Sequence, residues 1–470
     1  MFFHQRFIPG LAIASYLVGD EKAKQIAVID PTRDVDEYIR IAKEEGLRIT
    51  HILETHVHAD YVSGSAELKA RLAGEPQIVV SGMGGKAWTP PYANSIVKDG
   101  DEVKLGNIRL KAFHTPGHTP EHVIWALYDD TRSKDTPWLL FTGDFLFVGD
   151  VGRPDLLGPD EQEELAHQLY SSLFEKIASV PDFTEVFPAH GPGSLCGKAI
   201  GSRKSSTLGF ERKFNLALQT APEAEWTAAL LKDMPLAPPY FKLMKKVNAA
   251  GPALLGHELP GQRRFSAKEL HDRVCADCMV VDVRPKEAYA TAHIPGSINI
   301  PLGQNLPSWA GWVLPYDKRL LIVPSSPAEM PEVVTHLIRV GLDQVEGYLD
   351  DGMDAWENQG FEISQLGSIS VPGLHSGLEE KGEANPFVLD VRTESEWNGG
   401  HIDCALHIHG GVLKDRYSEV PRDRPIAVVC GTGYRGSIAA SFLKSKGWEN
   451  VSNVLGGMTA WKAVGFPTSS

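Results

Sequence analysis

The stretch "LETHVHADYVS" (residues 53–63) decides how the first half of this chain is read. It follows an apolar run and offers His56, His58 and Asp60 at every second position. In an extended segment such residues project to one side, so the cluster is expected to bring three metal-capable groups to one point. The next residue is Tyr61, whose phenol titrates near 10 (roughly) and is a poor metal ligand at neutral pH. Three more pieces follow apolar strand candidates: "HTPGHTPEH" (His114, His118, His122), "FTGDF" (Asp144) and "FPAHGPGS" (His190). Loops at strand ends, set on a rigid sheet, are where site residues concentrate. Taken alone, His114 and His122 read as ordinary packing or surface histidines.

Around these clusters the first 245 or so residues show short strands, Gly-rich turns and two helix candidates. The strands are "LAIASYLVGD" as the first, then "IAVID", "ITHILET", "QIVVS", "IRLKAF", "WLLFTGD" and "EVFPAHG"; the helices are "VDEYIRIAKEEG" and "SAELKARLAG". Pro9 and Gly10 interrupt the N-terminal apolar run, which favours that strand over an export signal. At 470 residues the chain is long enough for about three domains. Its 42 % hydrophobic and 23 % charged residues describe a globular protein. A formal charge of −14 argues against nucleic acid or an anionic membrane as partner. No run approaches the roughly 18 apolar residues of a membrane span. Five cysteines, sparse and odd in number, point to a reducing cytoplasm rather than a disulfide scaffold.

The second half contains a repeat. "VVDVRPKEAYATAHIPGSINIP" from Val280 recurs as "VLDVRTESEWNGGHIDCALHIH" from Val388, and "DGMDAWENQGF" (351–361) recurs as "GGMTAWKAVGF" (456–466). A period of roughly 105 residues fits two whole small domains rather than a solenoid. Each copy alternates apolar strands with helices, which implies a parallel sheet covered on both faces. The Gly- and Pro-bearing segments 248–262 and 364–377 read as linkers. The expected domains are therefore 1–247, 263–367 and 368–470.

In the last copy, "VVCGTGYRGS" puts Cys430 at a strand end, followed by Gly431, Thr432, Gly433 and Tyr434 in a loop that closes at Arg435. Successive backbone N–H groups of such a loop make an anion nest, and the following helix aims its positive end at the same point. A cysteine held there is expected to lean toward the thiolate. The first copy has "IVPSSPAEMPE" instead, with Pro324 near the cysteine position and Glu329 near the arginine. Without a thiol it has no nucleophile. Cys275 and Cys278 form a single "CADC" with no second Cys/His pair nearby, and Cys404 reads as packing. Cys196 lies six residues after His190 in a segment rich in Gly, Ser and basic groups, Lys198 among them, which suits an anionic substrate.

Residues 1 to about 245, through "THVHAD…PGHTPEH…TGD…PAHG", resemble the metallo-β-lactamase fold, an αββα sandwich with its metal site at one edge. "TPGHTPEH" followed by "FTGDFLFVGDVGRPDL" is similar to persulfide dioxygenases and to their glyoxalase II relatives. The two repeats resemble rhodaneses, the first inactive and the second active, with Cys430 and Arg435 in the catalytic loop and Gly431, Thr432, Gly433 and Tyr434 cradling the sulfur. The resemblance implies one Fe(II) on His56, His118 and Asp144, since in the two-zinc hydrolases the residue after the aspartate is a ligand and here it is Tyr61. A single zinc with the same ligands stays open. His58, Asp60, Tyr61 and His190 are then supporting residues, Arg153 and Lys198 substrate contacts, and Cys196 a catalytic thiol. The implied activity is oxidation of a low-molecular-weight persulfide by O₂ to sulfite, with sulfane-sulfur transfer at Cys430 that forms or uses thiosulfate, a sulfide-detoxifying chemistry. The resemblance also admits a homo-oligomer. Two alternatives remain: a zinc thioester hydrolase with a separate rhodanese activity, and a sulfur carrier with a degenerate metal domain.

Overall fold

A computed structural model describes residues 1–274, 277–379 and 385–469. Two compact units are present: Met1–Glu258 with Ile338–Gly341, and Leu259–Leu337 with Leu342–Ser470.

The first unit is a sandwich of two six-stranded sheets. One runs Phe2–Ile8, Ile13–Asp20, Gln25–Ile29, Arg48–Leu53, Gln77–Ser81 and Ser95–Val97 in spatial order. Its first three strands pair antiparallel and the rest parallel, through crossovers that carry the helices Asp36–Glu44 and Ser65–Arg71. The other sheet orders Ser206–Thr207, Glu185–Pro188, Leu139–Gly143, Val123–Asp129, Ile108–His114 and Glu102–Leu105. Inward side chains of both sheets, among them Tyr16, Leu53, Val79, Leu110, Trp125 and Phe141, form one core. Tyr38, Ile41 and Leu68 seal the outer face of the first sheet, and Leu169, Leu173 and Trp226 that of the second. The fold is thus the expected αββα arrangement.

Three details differ from the sequence reading. The chain opens on the strand Phe2–Ile8, so "LAIASYLVGD" supplies the second strand and not the first. Its apolar and polar residues do not alternate clearly, and pairing with Ile13–Asp20 is what makes it a strand. The fully buried Val123–Asp129 was not anticipated, because every position faces protein and no period-2 signal survives. The supposed linker from residue 248 begins inside this unit: the helix Tyr240–Ala250 runs into it, and the backbone N–H groups of Leu255 and Gly256 donate to the Glu67 carboxylate.

The second unit contains two five-stranded, all-parallel sheets of identical order. The first is Arg263–Phe265, Val345–Leu349, Arg319–Val323, Cys278–Asp282, Ile298–Asn299, and the second is Gly367–Ser370, Val451–Leu455, Ile426–Val429, Phe387–Asp390, Leu406–His407. The repeated Asp-Val-Arg is structural. In both copies the arginine folds back onto the aspartate through its guanidinium and its own backbone N–H, Arg284 on Asp282 and Arg392 on Asp390. Cys278 is buried, and Cys275, its partner in "CADC", lies outside the described residues. Cys404 is exposed rather than packed. No helix among the described residues is long and apolar enough to cross a membrane.

Candidate functional site

The four sequence clusters meet at one edge of the sandwich, and the first of them corrects the extended-segment expectation. Past Leu53 the chain is a loop, pinned where the Val57 N–H donates to Glu121 Oε1 at 2.7 Å. His56, His58 and Asp60 therefore join three different groups. His56 converges with His118 and Asp144, His58 with Asp30 and Glu54, and Asp60 with His190 and Cys196, each group having its ligand atoms within 4.8 Å of one another. All nine residues are buried.

In the first group the protein fixes which ring nitrogen faces the site. The Thr55 hydroxyl donates to Asp30 Oδ2 (2.8 Å), so it can only accept from His56 Nδ1–H (2.9 Å). His118 Nδ1–H donates to the Arg153 carbonyl at 2.9 Å. The Nε2 lone pairs of both point inward, 3.9 and 3.4 Å from Asp144 Oδ2. Burial, reinforced by neighbouring histidines, holds both rings well below the usual histidine range, and hence neutral. Burial pushes the Asp144 carboxyl up to about 6 against the pull of His190, with Asp60 adding to the rise. His56 Nε2, His118 Nε2 and both Asp144 oxygens have no hydrogen-bond partner. Orphaned buried atoms of this kind call for a cation. Gly143 sets up the aspartate: its φ is +51°, and an added Cβ would lie 2.6 Å from both His122 Nε2 and Thr55 Oγ1.

The second group shares Asp144. His190 Nδ1–H donates to the Ala12 carbonyl (3.2 Å), which turns Nε2 to 3.4 Å from both Asp60 Oδ2 and Asp144 Oδ1. Burial, then the Asp60 and Asp144 carboxylates, push the Cys196 thiol well up. In the third group His58 Nε2 is 3.2 Å from Asp30 Oδ1 and 3.2 Å from Glu54 Oε2. Burial pulls this imidazole down, but the two carboxylates more than reverse it and leave it well above the usual range. Tyr61 packs against His58 in a tilted ring pair with centroids 4.5 Å apart, and its hydroxyl donates to the Asp30 carbonyl at 3.3 Å.

Two expected substrate contacts are otherwise engaged. The Arg153 guanidinium, buried, grips Asp155 through Nε and Nη2 (2.9 and 2.7 Å) and the Leu195 carbonyl through Nη1. The Lys198 ammonium donates to the Lys232 carbonyl on the exposed surface. Lys245, whose ammonium donates to the Leu156 carbonyl at 3.1 Å, is lowered by burial to about 8 while Glu121, Cys196 and Asp155 oppose that effect, and its charge in turn helps to lower His118.

Sequence reasoning also missed the supports. His122 accepts the Asp144 N–H at Nε2 (3.1 Å) and is bonded through Nδ1 to Thr115 Oγ1. Asn248 donates to the His58 and Tyr61 carbonyls and accepts the Ser63 N–H. The second "HxxxH" of "HTPGHTPEH" hinted at the first of these; nothing local marks Asn248, which is 185 residues from Ser63.

In the last repeat, Cys430 is buried at the end of Ile426–Val429, and Sγ accepts the Gly433 N–H at 3.0 Å. Gly433 has φ +99°, and the helix Tyr434–Ser445 starts immediately after it. The recurring "GGMTAW" ties this loop down: Met458 and Thr459 N–H groups donate to the Cys430 and Gly431 carbonyls. Thr432 is exposed. Arg435 makes a two-pronged contact with Glu396, both bonds 2.6 Å. The corresponding loop of the first repeat is closed by its own acid, Glu329 accepting the Ser325 N–H at 2.9 Å.

Residues 8–190 match the Metallo-beta-lactamase superfamily, and residues 266–359 and 373–464 each match the Rhodanese-like domain. Fold and site thus define a metallo-β-lactamase-type metal-binding domain followed by tandem rhodanese-like domains. Bovine "Persulfide dioxygenase ETHE1, mitochondrial" (Bos taurus) is 30 % identical over 261 residues, 55 % of this chain and 87 % of that protein. The cytoplasmic hydroxyacylglutathione hydrolase of Arabidopsis thaliana is 33 % identical over 177 residues, 37 % of this chain and 62 % of that protein. A metallo-beta-lactamase crystal structure from Staphylococcus aureus superposes with a TM-score of 0.65 at 38 % identity, covering 74 % of this chain and 98 % of the other. The chain belongs to the ETHE1 persulfide dioxygenase family of the metallo-β-lactamase superfamily, with a rhodanese pair fused at its C-terminal side.

Proposed function

We propose that this chain oxidises the outer sulfur of a low-molecular-weight persulfide with O₂ at one Fe(II) held by His56, His118 and Asp144, and moves sulfane sulfur on Cys430. The observation that carries the reading is the fate of His58 and Tyr61. His58 is committed to Asp30 and Glu54, and Tyr61 to the Asp30 carbonyl, so neither is left to hold a second metal beside the His56, His118 and Asp144 group. Iron in such a two-histidine, one-carboxylate set supplies open positions for a sulfur anion and O₂. The balance is R–S–SH + O₂ + H₂O → R–SH + SO₃²⁻ + 2 H⁺.

The chain's own groups do the rest. Thr55 and the Arg153 carbonyl lock the His56 and His118 rings, and the His122 acceptor fixes the Asp144 backbone. Lys245, which lowers His118 electrostatically, supplies positive charge for an anionic thiol such as glutathione or coenzyme A. The Cys196 thiol faces Asp60 and His190 and is the candidate to take sulfur from the bound persulfide. In the last repeat Cys430 Sγ attacks the sulfane sulfur of thiosulfate, a Cys–S bond forms, the S–SO₃ bond breaks, and sulfite leaves with the electron pair. Both thiols need the reducing surroundings of a cytoplasm.

A second reading, a two-metal thioester hydrolase, draws on the unpartnered Asp60 carboxylate and His190 Nε2 beside Asp144. Metal analysis of anaerobically purified protein, with O₂ uptake on glutathione or coenzyme A persulfide, separates the two. About one iron per chain and O₂ uptake support the dioxygenase; two zincs and thioester cleavage without O₂ sink it. Sulfane transfer that survives Cys430→Ser removes the rhodanese half.

A further inference from the structure

We infer that Lys286, in the rhodanese-like copy whose loop lacks a cysteine, recognises the anionic end of the sulfur donor at the Cys430 loop of the other copy. The inference rests on the reading of Cys430 as the sulfur-transfer nucleophile. The two copies lie within one compact unit, and the helix that opens in the Cys430 loop is bonded to the first copy along its length. Tyr434 Oη donates to the Pro301 carbonyl (3.1 Å), Ser437 Oγ to Asn299 Oδ1 (2.7 Å), and the Asn299 N–H to Ser441 Oγ (3.0 Å). This docking brings Lys286, first residue of the helix Lys286–Thr291, to the loop. A Cβ added at Gly433 would stand 3.5 Å from Lys286 Cε, and the Gly433 N–H is the donor that reaches Cys430 Sγ.

The charges around that loop single the lysine out. Arg435 has both terminal nitrogens on Glu396, so its charge is already answered. His409 is held neutral, down at about 4, by burial and by Arg435. Lys286 is bonded to Glu287, its own neighbour, whose side chain is 66 % exposed and easily given up to water. Thiosulfate is a dianion: with its sulfane sulfur on Cys430, its sulfonate oxygens need a cation whose present partner is readily displaced, as the exposed Glu287 is. In the first copy the equivalent loop has no cysteine and holds the Ser325 N–H to Glu329 bond, so what that copy contributes to the Cys430 site is a wall. Trp309 extends the wall, 3.3 Å from where a Cβ on Gly410 would be and 6.2 Å, ring to ring, from His409.

The test compares alkylation of Cys430 in the full chain by iodoacetate, an anion, and iodoacetamide, its neutral analogue, read by peptide mass spectrometry. Exposed Cys404 is the internal reference. Lys286→Met should lower the iodoacetate-to-iodoacetamide rate ratio at Cys430 about five-fold, the size of a part-exposed charge contact. Lys286→Arg should keep the ratio, and Glu287→Gln, a surface change that leaves folding intact, should raise it. The thiosulfate KM should rise in Lys286→Met by the same factor, with kcat moving less. A wild-type ratio in both Lys286→Met and Glu287→Gln overturns the inference, as does a fall at Cys404 in step with Cys430. Alkylation needs no turnover, so this result is independent of whether Cys430→Ser abolishes sulfur transfer.

Discussion

Replacing His58 with leucine tests the division of labour inside "THVHAD". His58 sits between two carboxylates, 3.2 Å from each, and the three side chains are 1 %, 2 % and 5 % exposed. Removing the cationic partner of a buried pair costs about 3–5 kcal/mol, because the carboxylates left behind cannot reach water. Part of that is offset here: Thr55 donates to Asp30, and Ser63 and Ser65 to Glu54. The lower end, about 3 kcal/mol, is therefore expected. For a unit of this size it corresponds to a fall in Tm of roughly 6–12 °C. Calorimetry on chelator-treated full-length protein measures this without the contribution of bound metal. Iron content after anaerobic reconstitution should stay near one per chain, because the ligand atoms of His56, His118 and Asp144 are untouched. A variant that melts like the parent but no longer holds iron would refute the reasoning, since His58 would then be a ligand.

His122→Phe keeps the ring but removes the acceptor of the Asp144 N–H. Metal affinity should drop about 10–100-fold in chelator competition, and an unchanged affinity contradicts the positioning role. Asn248→Ala breaks three bonds to the 58–63 loop and should cost about 2 kcal/mol. Hydrogen exchange at Ser63 should speed up accordingly; undiminished protection would contradict it. Burial pushes the Glu396 carboxyl up, but Arg435 more than offsets this and holds it at about 2. Its folded value lies below the unfolded one, so the stabilisation is complete above pH 4.3 or so and disappears as pH falls through about 2. Acid unfolding of the parent should show that loss while Glu396→Gln does not, and parallel acid profiles would exclude it.

The sheets that could be read in advance were those with a recognisable signature. Short apolar strands closed by His, Asp or Gly marked most of the sandwich, and the Asp-Val-Arg and Gly-Met-x-Ala-Trp repeats marked the doubled parallel sheets. Strands escaped for different reasons: Val123–Asp129 is buried on both faces, Phe2–Ile8 has mixed burial, and Glu102–Leu105, although it alternates, is only four residues long. Arg153 and Lys198 misled because a basic residue near a site says nothing about which acceptor it has already found. Arg153 had Asp155 two residues away, and Lys198 a backbone carbonyl.

Local sequence determined which side chains are available at the metal edge and that only one repeat carries a cysteine at the head of its strand-to-helix loop, since residue type and strand-end position are properties of the chain itself. Tertiary structure decided what each of them does. A loop has no fixed side-chain period, so His56, His58 and Asp60, two residues apart, could be sent to three different clusters by partners distant in sequence, such as Asp30 for His58 and His190 for Asp60. The same holds for Tyr61. Its phenol is a poor ligand by chemistry, but it is the Asp30 carbonyl and the tilted contact with the His58 ring that turn it from the centre.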